Sequence, residues 1–113
     1  MFNLDLSSTY WWPVPFKVPG EDGALVDAAF DVQFTRKTAS QVEEMMKRAA
    51  DERRSDSDVA REIVVGWRNV VGAAGAVSFS PEALSRLLAV PGAGTVIVRA
   101  FLESVSKGAE KNS

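Results

Sequence analysis

Ala28, Phe30, Val32 and Phe34 alternate with Asp27, Ala29, Asp31, Gln33 and Thr35. A period of two is the period of the β pleat, so this stretch reads as a strand with one face in a core. Upstream, Trp12, Val14, Phe16 and Val18 alternate with Pro13, Pro15 and Lys17. Proline has no N–H to give to a ladder, so this second run belongs at a sheet edge or outside the sheet proper. Residues 19–23, Pro-Gly-Glu-Asp-Gly, carry a turn between the two runs. Together they predict a β-hairpin. A lone hairpin is marginal in water, so the rest of the chain must cover its apolar face.

The rest reads as helices. Ser40-Gln41-Val42-Glu43 has capping-box spacing. Val42, Met45, Met46, Ala49 and Ala50 then follow at helical spacing, with Glu43–Lys47 and Glu44–Arg48 as outward i,i+4 pairs. Residues 51–58 form a charged break, in which Ser55 or Ser57 caps a second helix. Val59, Ile63, Trp67, Val70 and Val71 make its apolar stripe, and Gly72-Ala73-Ala74-Gly75 closes it with a turn. Val77-Ser78-Phe79 is read as extended. Ser80-Pro81-Glu82 opens a third helix, with serine at the cap, proline at the first helical position and an acid in the first turn. Leu84, Leu87 and Leu88 face inward, and Pro91-Gly92 ends that helix. A last helix is expected over residues 93–107, with Ile97, Phe101 and Val105 on one face. Residues 1–9 are expected to be flexible, and 108–113 to form a frayed polar tail. A length of 113 residues suits one domain. Strands first and helices after give an α+β class: an N-terminal β-hairpin packed on a bundle of about four α-helices.

The chain has no histidine and no cysteine. The commonest general base, the commonest metal ligand and all thiol chemistry are therefore missing, so neither catalysis, nor a metal site, nor a cofactor is expected. The formal charge of -2 disfavours nucleic acid, whose partners carry a basic excess. Residues 1–10 lack the basic start and apolar middle of a signal peptide. No stretch reaches about 18 consecutive apolar residues, so no membrane span is expected. Gly92-Ala93-Gly94 lacks both the third glycine of a dinucleotide loop and the Lys-Ser/Thr of a phosphate loop, and reads as a tight turn. Arg48, Arg53, Arg54 and Arg61 make at most a small basic patch, diluted by Asp51, Glu52, Asp56 and Asp58. What remains is protein binding. Trp11 and Trp12 stand together, and alternation sends one of them outward, as an aromatic anchor or against the chain's own termini. Met45 and Met46 are adaptable contacts or core. These four are the candidate partner-binding residues.

The order of pieces also resembles a known family. The proline-bracketed hairpin leads into Phe34-Thr35-Arg36 and an amphipathic helix. Ile63-Val64-Val65-Gly66-Trp67-Arg68-Asn69-Val70 follows, then a Gly/Ala loop, then Val77-Ser78-Phe79-Ser80-Pro81-Glu82-Ala83-Leu84-Ser85-Arg86-Leu87-Leu88. A helix with Ala100-Phe101-Leu102 and a Lys111-Asn112 tail closes the chain. This is similar to the tail assembly chaperones of long-tailed, non-contractile phages and prophages, over residues 14–112. The resemblance implies a non-enzymatic factor in the host cytoplasm. It would bind the tape measure protein, keep it soluble, help recruit tail tube subunits, and leave before the virion is complete. It also implies that the chain is the short form of a frameshifted pair, with the junction near the polar tail. Self-association is permitted and not required. The alternatives are a structural virion component, such as a head–tail connector or minor tail protein, and a host regulatory or antitoxin-like module.

Overall fold

The computed structural model describes residues 1–111. The class is α+β, in one domain with four helices among the described residues. The hairpin is present, in two pieces. Strands β1 (Thr9–Val14) and β4 (Phe30–Thr35) pair antiparallel, with Trp12 opposite Val32 and Val14 opposite Phe30. Strands β2 (Lys17–Pro19) and β3 (Leu25–Asp27) continue the same register at the tip. The break falls at Pro15. It has no N–H to give, and the N–H of Ala29 across from it donates to Asp27 Oδ1 at 3.0 Å. At the tip Gly23 takes a φ of 86°, a left-handed value that glycine adopts without cost.

The sheet has a third strand. The sequence reading carries the second helix through Trp67 to Val71, but helix α2 (Asp56–Ile63) stops at Ile63, and Val64–Arg68 is strand β5. Its order is β1-β4-β5, with Val64 opposite Phe34 and Trp67 opposite Val32. Three successive β-branched residues, Ile63, Val64 and Val65, suit a pleat better than a helix. Pairing also satisfies the edge of β4 that the hairpin leaves open. A bulge at Val65 lets the strand keep both Val64 and Trp67 on the core side. Asn69, at φ 66°, turns the chain into the short ribbon of β6 (Val71–Gly72) and β7 (Gly75–Ala76). Val70 and Val71 therefore belong to a turn and a ribbon, not to a helical stripe.

Helix α1 (Ala39–Asp51) is capped by Thr38, not by Ser40. Thr38 Oγ1 accepts from the Gln41 N–H at 3.2 Å, and Gln41 Oε1 accepts from the Thr38 N–H at 2.9 Å. Both pairs have capping-box spacing. The earlier one gains two more helical residues directly after the strand. The outward pairs differ as well: Lys47 meets Asp51 at 3.7 Å, and Arg48 turns inward to Glu62. Of the two serines the sequence offers as cap of the second helix, Ser55 takes the N-cap, and Asp58 three residues on completes a capping box. Ser80 and Pro81 open helix α3 (Pro81–Leu88) as the sequence indicates.

Helix α4 (Ala93–Lys111) runs past the expected stop at residue 107, so residues 108–111 are helix rather than tail; 112–113 lie outside the described residues. Its Ile97 and Phe101 are fully buried, whereas Val105 is exposed. One core joins the inner face of the sheet (Val14, Phe30, Val32, Phe34, Val64, Trp67) to Met45 of α1, Val59 and Ile63 of α2, Leu84 of α3, and Ile97 and Phe101 of α4. Trp67 donates its indole N–H to the Val77 carbonyl at 2.8 Å, and Phe79 packs edge-on against it at 5.3 Å. It is a core residue, as the sequence suggests, although it sits on a strand.

Candidate functional site

The alternation that builds β1 divides its two tryptophans. Trp12 shares the core side with Tyr10 and Val14 and is half-buried. Trp11 points to the opposite side, opposite Gln33, and is 40% exposed. No helix covers that outer side of the sheet among the described residues, and it is tied by polar bonds instead. Arg68 lies over the Trp11 ring, 4.2 Å from its centroid, with its Nε 3.5 Å from Asp31. Asn69 donates to the same carboxylate at 2.7 Å, and Gln33 Nε2 donates to Thr9 Oγ1 at 2.9 Å.

Both tryptophans border a groove of about 500 Å³ between the free edge of β1 and helix α4. Its other walls are Tyr10, Arg36, Lys37, Ser104 and Val105. The Tyr10 hydroxyl and Ser104 Oγ are 2.7 Å apart, and Ser104 Oγ donates to the Phe101 carbonyl at 2.6 Å, so strand and helix are stitched together at the groove floor. Arg36 stacks over Tyr10 at 4.7 Å and donates Nε–H to the Ser7 carbonyl at 2.7 Å. Its guanidinium is thus held in place without a carboxylate partner among the described residues. Aromatic faces beside fixed cations suit a peptide that brings apolar and acidic side chains.

The methionine pair does not join this groove. Met45 is 1% exposed and packs in the core, so it offers no surface to a partner. Met46 is 36% exposed on the outer side of α1. Sequence spacing does not single out the groove cations, because Arg36 and Lys37 follow β4 and reach the groove only through the β1–β4 pairing.

Behind the groove lies a charge cluster that fixes α1. Glu62 Oε1 accepts from Arg48 Nη2 at 2.6 Å and Arg54 Nη1 at 2.9 Å, and Lys37 Nζ stands 3.1 Å from Oε2. The sequence offers Arg48 and Arg54 as part of a basic patch; the fold turns both onto one acid. Partial burial pushes the Glu62 carboxyl up, but hydrogen bonds from Lys37, Arg54 and Arg48 outweigh it and hold the group below its ordinary value of 4.5. A lowered carboxylate contributes stability that is complete above 4.5 and is lost as pH falls through the folded value. Glu62→Gln is therefore expected to cost about 1–2 kcal/mol at neutral pH, and to flatten the fall in stability below 4.5. Urea midpoints measured from pH 7 down to pH 3 check this. An unchanged acid limb in the variant would assign the limb to other groups, with Asp58, lowered by its Ser55 cap bonds, first among them.

No group of three or more potential ligands able to hold a metal ion occurs among the described residues. No single helix there is long and apolar enough to cross a membrane. No protein-family model, curated protein or solved structure matches the chain.

Proposed function

We propose that this chain is an assembly chaperone of the phage-tail type, which holds the tape measure protein in soluble form and helps bring tail tube subunits to it. The observation that carries the reading is the β1 groove, where Trp11, Trp12 and the stacked Arg36 offer aromatic and cationic contacts beside an open strand edge. Such a surface takes many related segments of a long client by burial and charge rather than by one fixed sequence. The resemblance in piece order, from the proline-bracketed hairpin to the Ser80-Pro81-Glu82 helix start, supports the same reading. The chaperone acts in the host cytoplasm, without chemistry of its own, and leaves before the virion is finished.

Co-expression with the tape measure protein of the same genome tests this. The client is expected to stay soluble and to co-purify with the chain. Trp11→Ala should lower client capture by roughly 30-fold, as loss of an interface anchor does, while leaving the circular dichroism spectrum intact, because Trp11 is largely outside the core. A client that is insoluble with or without the chain would defeat the proposal. Recovery of the chain from purified virions would instead favour a connector or minor tail protein.

A further inference from the structure

In an antiparallel ladder the main-chain groups of successive residues point in turn to one neighbouring strand and to the other. The Arg36 N–H donates to the Ser8 carbonyl at 2.8 Å, and the Ala28 N–H to the Phe16 carbonyl at 2.9 Å. In the register that sets Trp12 opposite Val32, the even residues of β1 therefore face β4. Thr9, Trp11 and Pro13 face away from it, on a sheet edge with no further strand. Ser7 Oγ already donates to the Thr9 carbonyl at 2.6 Å, and Pro13 has no N–H. Among these three residues only Trp11 keeps both a free N–H and a free carbonyl.

A strand laid on this edge puts the residue opposite Trp11 on the outer side of the sheet and its two neighbours on the core side, over the groove. One neighbour faces Trp12, in a groove whose wall also holds the exposed Val105. The other faces Tyr10, over whose ring the Arg36 guanidinium stands 4.7 Å from the centroid. Arg36 gives its Nε–H to the Ser7 carbonyl, and no bond from its Nη1 or Nη2 occurs among the described residues. The two core-side places thus differ in kind: one is apolar and the other cationic.

We propose that the groove takes an extended segment of the client, added to β1 at Trp11, that carries an apolar side chain and a carboxylate two residues apart. This rests on the chaperone reading for the client and adds what the client must bring. The apolar side chain packs on Trp12. The carboxylate meets Arg36, whose stacked and anchored guanidinium leaves its outer fork open to both oxygens. In an antiparallel segment the apolar residue comes first, and in a parallel one the acid does. Pro13 stops the added ladder on one side and the Ser7 hydroxyl crowds it on the other, so each segment is gripped over about three residues. One such contact is weak, and a long client that repeats the pair is held by several copies at once. The chain's own arm does not qualify: Asn3 and Ser7, two places either side of Asp5, are both polar.

Amide NMR titration of the full chain with short blocked peptides tests this. The probes are threonine peptides with one leucine and one glutamate two residues apart, in both orders. One order should bind with a Kd of about 0.1–1 mM and shift Tyr10, Trp11, Trp12 and Arg36. Glutamine in place of glutamate should weaken binding about 10-fold. Leucine and glutamate set side by side should weaken it as much, because they then face opposite sides. Arg36→Gln should bind the glutamate and glutamine peptides alike, a loss of discrimination that mere destabilisation does not produce. Trp11→Pro removes the outward N–H and spares the bonds to β4, so it should bind at least about 5-fold more weakly than Trp11→Ala. Should Trp11→Pro fail to fold, the Arg36→Gln comparison decides. Equal binding of the glutamate and glutamine peptides by the parent chain would overturn the inference, as would shifts centred away from β1. A client captured without any such peptide preference sinks this inference and leaves the chaperone reading standing. A clear preference in a chain that captures no client does the reverse.

Discussion

Phe101→Ala is expected to lower folding stability by about 3–5 kcal/mol. The ring is fully buried and meets Phe34 edge-on, with centroids 5.2 Å apart, while Phe34 meets Tyr10 at 5.9 Å. It is thus the contact by which α4 holds the middle and first strands. Deleting it removes the transfer free energy of a large apolar group and leaves a cavity between a helix and a sheet, two layers that cannot collapse onto it separately. A domain of this size has about 5–15 kcal/mol in all, so the variant should melt far below the parent. Urea unfolding measures the loss directly. The double variant with Phe34→Ala should cost less than the sum of the two single changes by about 1 kcal/mol, because the edge-on contact is then counted once. A single-variant loss under about 1 kcal/mol would mean that α4 is not the lid of this core.

Gly94→Val is expected to cost more than about 2 kcal/mol, against what helix propensity alone would say. Gly94 lies in the first turn of α4, where replacing glycine by alanine in an ordinary helix gains about 1 kcal/mol. Here a Cβ would sit 2.9 Å from Ser57 Oγ, 3.0 Å from Ser57 N and 3.2 Å from Ser57 Cα. Two of these are main-chain atoms in the first turn of α2, and they cannot swing aside as a side chain would. The same seam is closed by the Thr95 hydroxyl donating to Asp56 Oδ2 at 2.9 Å. Gly94→Ala should already reverse the propensity gain, and Gly94→Val should force α2 and α4 apart. Thermal unfolding of the two variants checks the order. A stabilised Gly94→Ala protein would show that the seam yields easily.

Some of this was legible in the residues and some was not, for identifiable reasons. The hairpin could be read because alternation and turn chemistry are local, and Pro15 marked the place where its ladder breaks. Strand β5 could not be read from spacing, because Val59, Ile63, Trp67 and Val70 fall at intervals of four, four and three, which imitate a helical stripe. What decides for a strand is tertiary: the bare edge of β4, and a β-branched trio able to fill it. Thr38 and Ser40 both offer a capping box, and only the exit of β4 selects the first. Val105 keeps the helical spacing of Ile97 and Phe101, but it lies in the open groove beside β1 and is exposed. Gly92 and Gly94 look like one turn in the sequence. Gly92, at φ 86°, is the turn, whereas Gly94 is where two helices touch. Of the candidate site, the division between Trp11 and Trp12 followed from the pleat. Arg36 and Lys37 joined the groove only through pairing between strands far apart in the chain.

The late arrival of β5 has a kinetic consequence. β4 ends at Thr35, and the strand that completes its pairing begins at Val64, with two helices between them. The β1–β4 contact closes early, since one turn joins its halves. The β4–β5 contact must wait for a long loop to close, and the entropy of that closure is lost before the contacts that offset it have formed. While it is open, β4 shows a bare edge and the face of Phe34 to solvent. A nascent chain of this design is most exposed to wrong partners in the interval after the hairpin forms and before Val64 is in place. The Glu62 cluster, which ties α1, its exit loop and Lys37 to α2, shortens the effective loop that remains to be closed. Substitutions there should therefore slow folding, and not only speed unfolding.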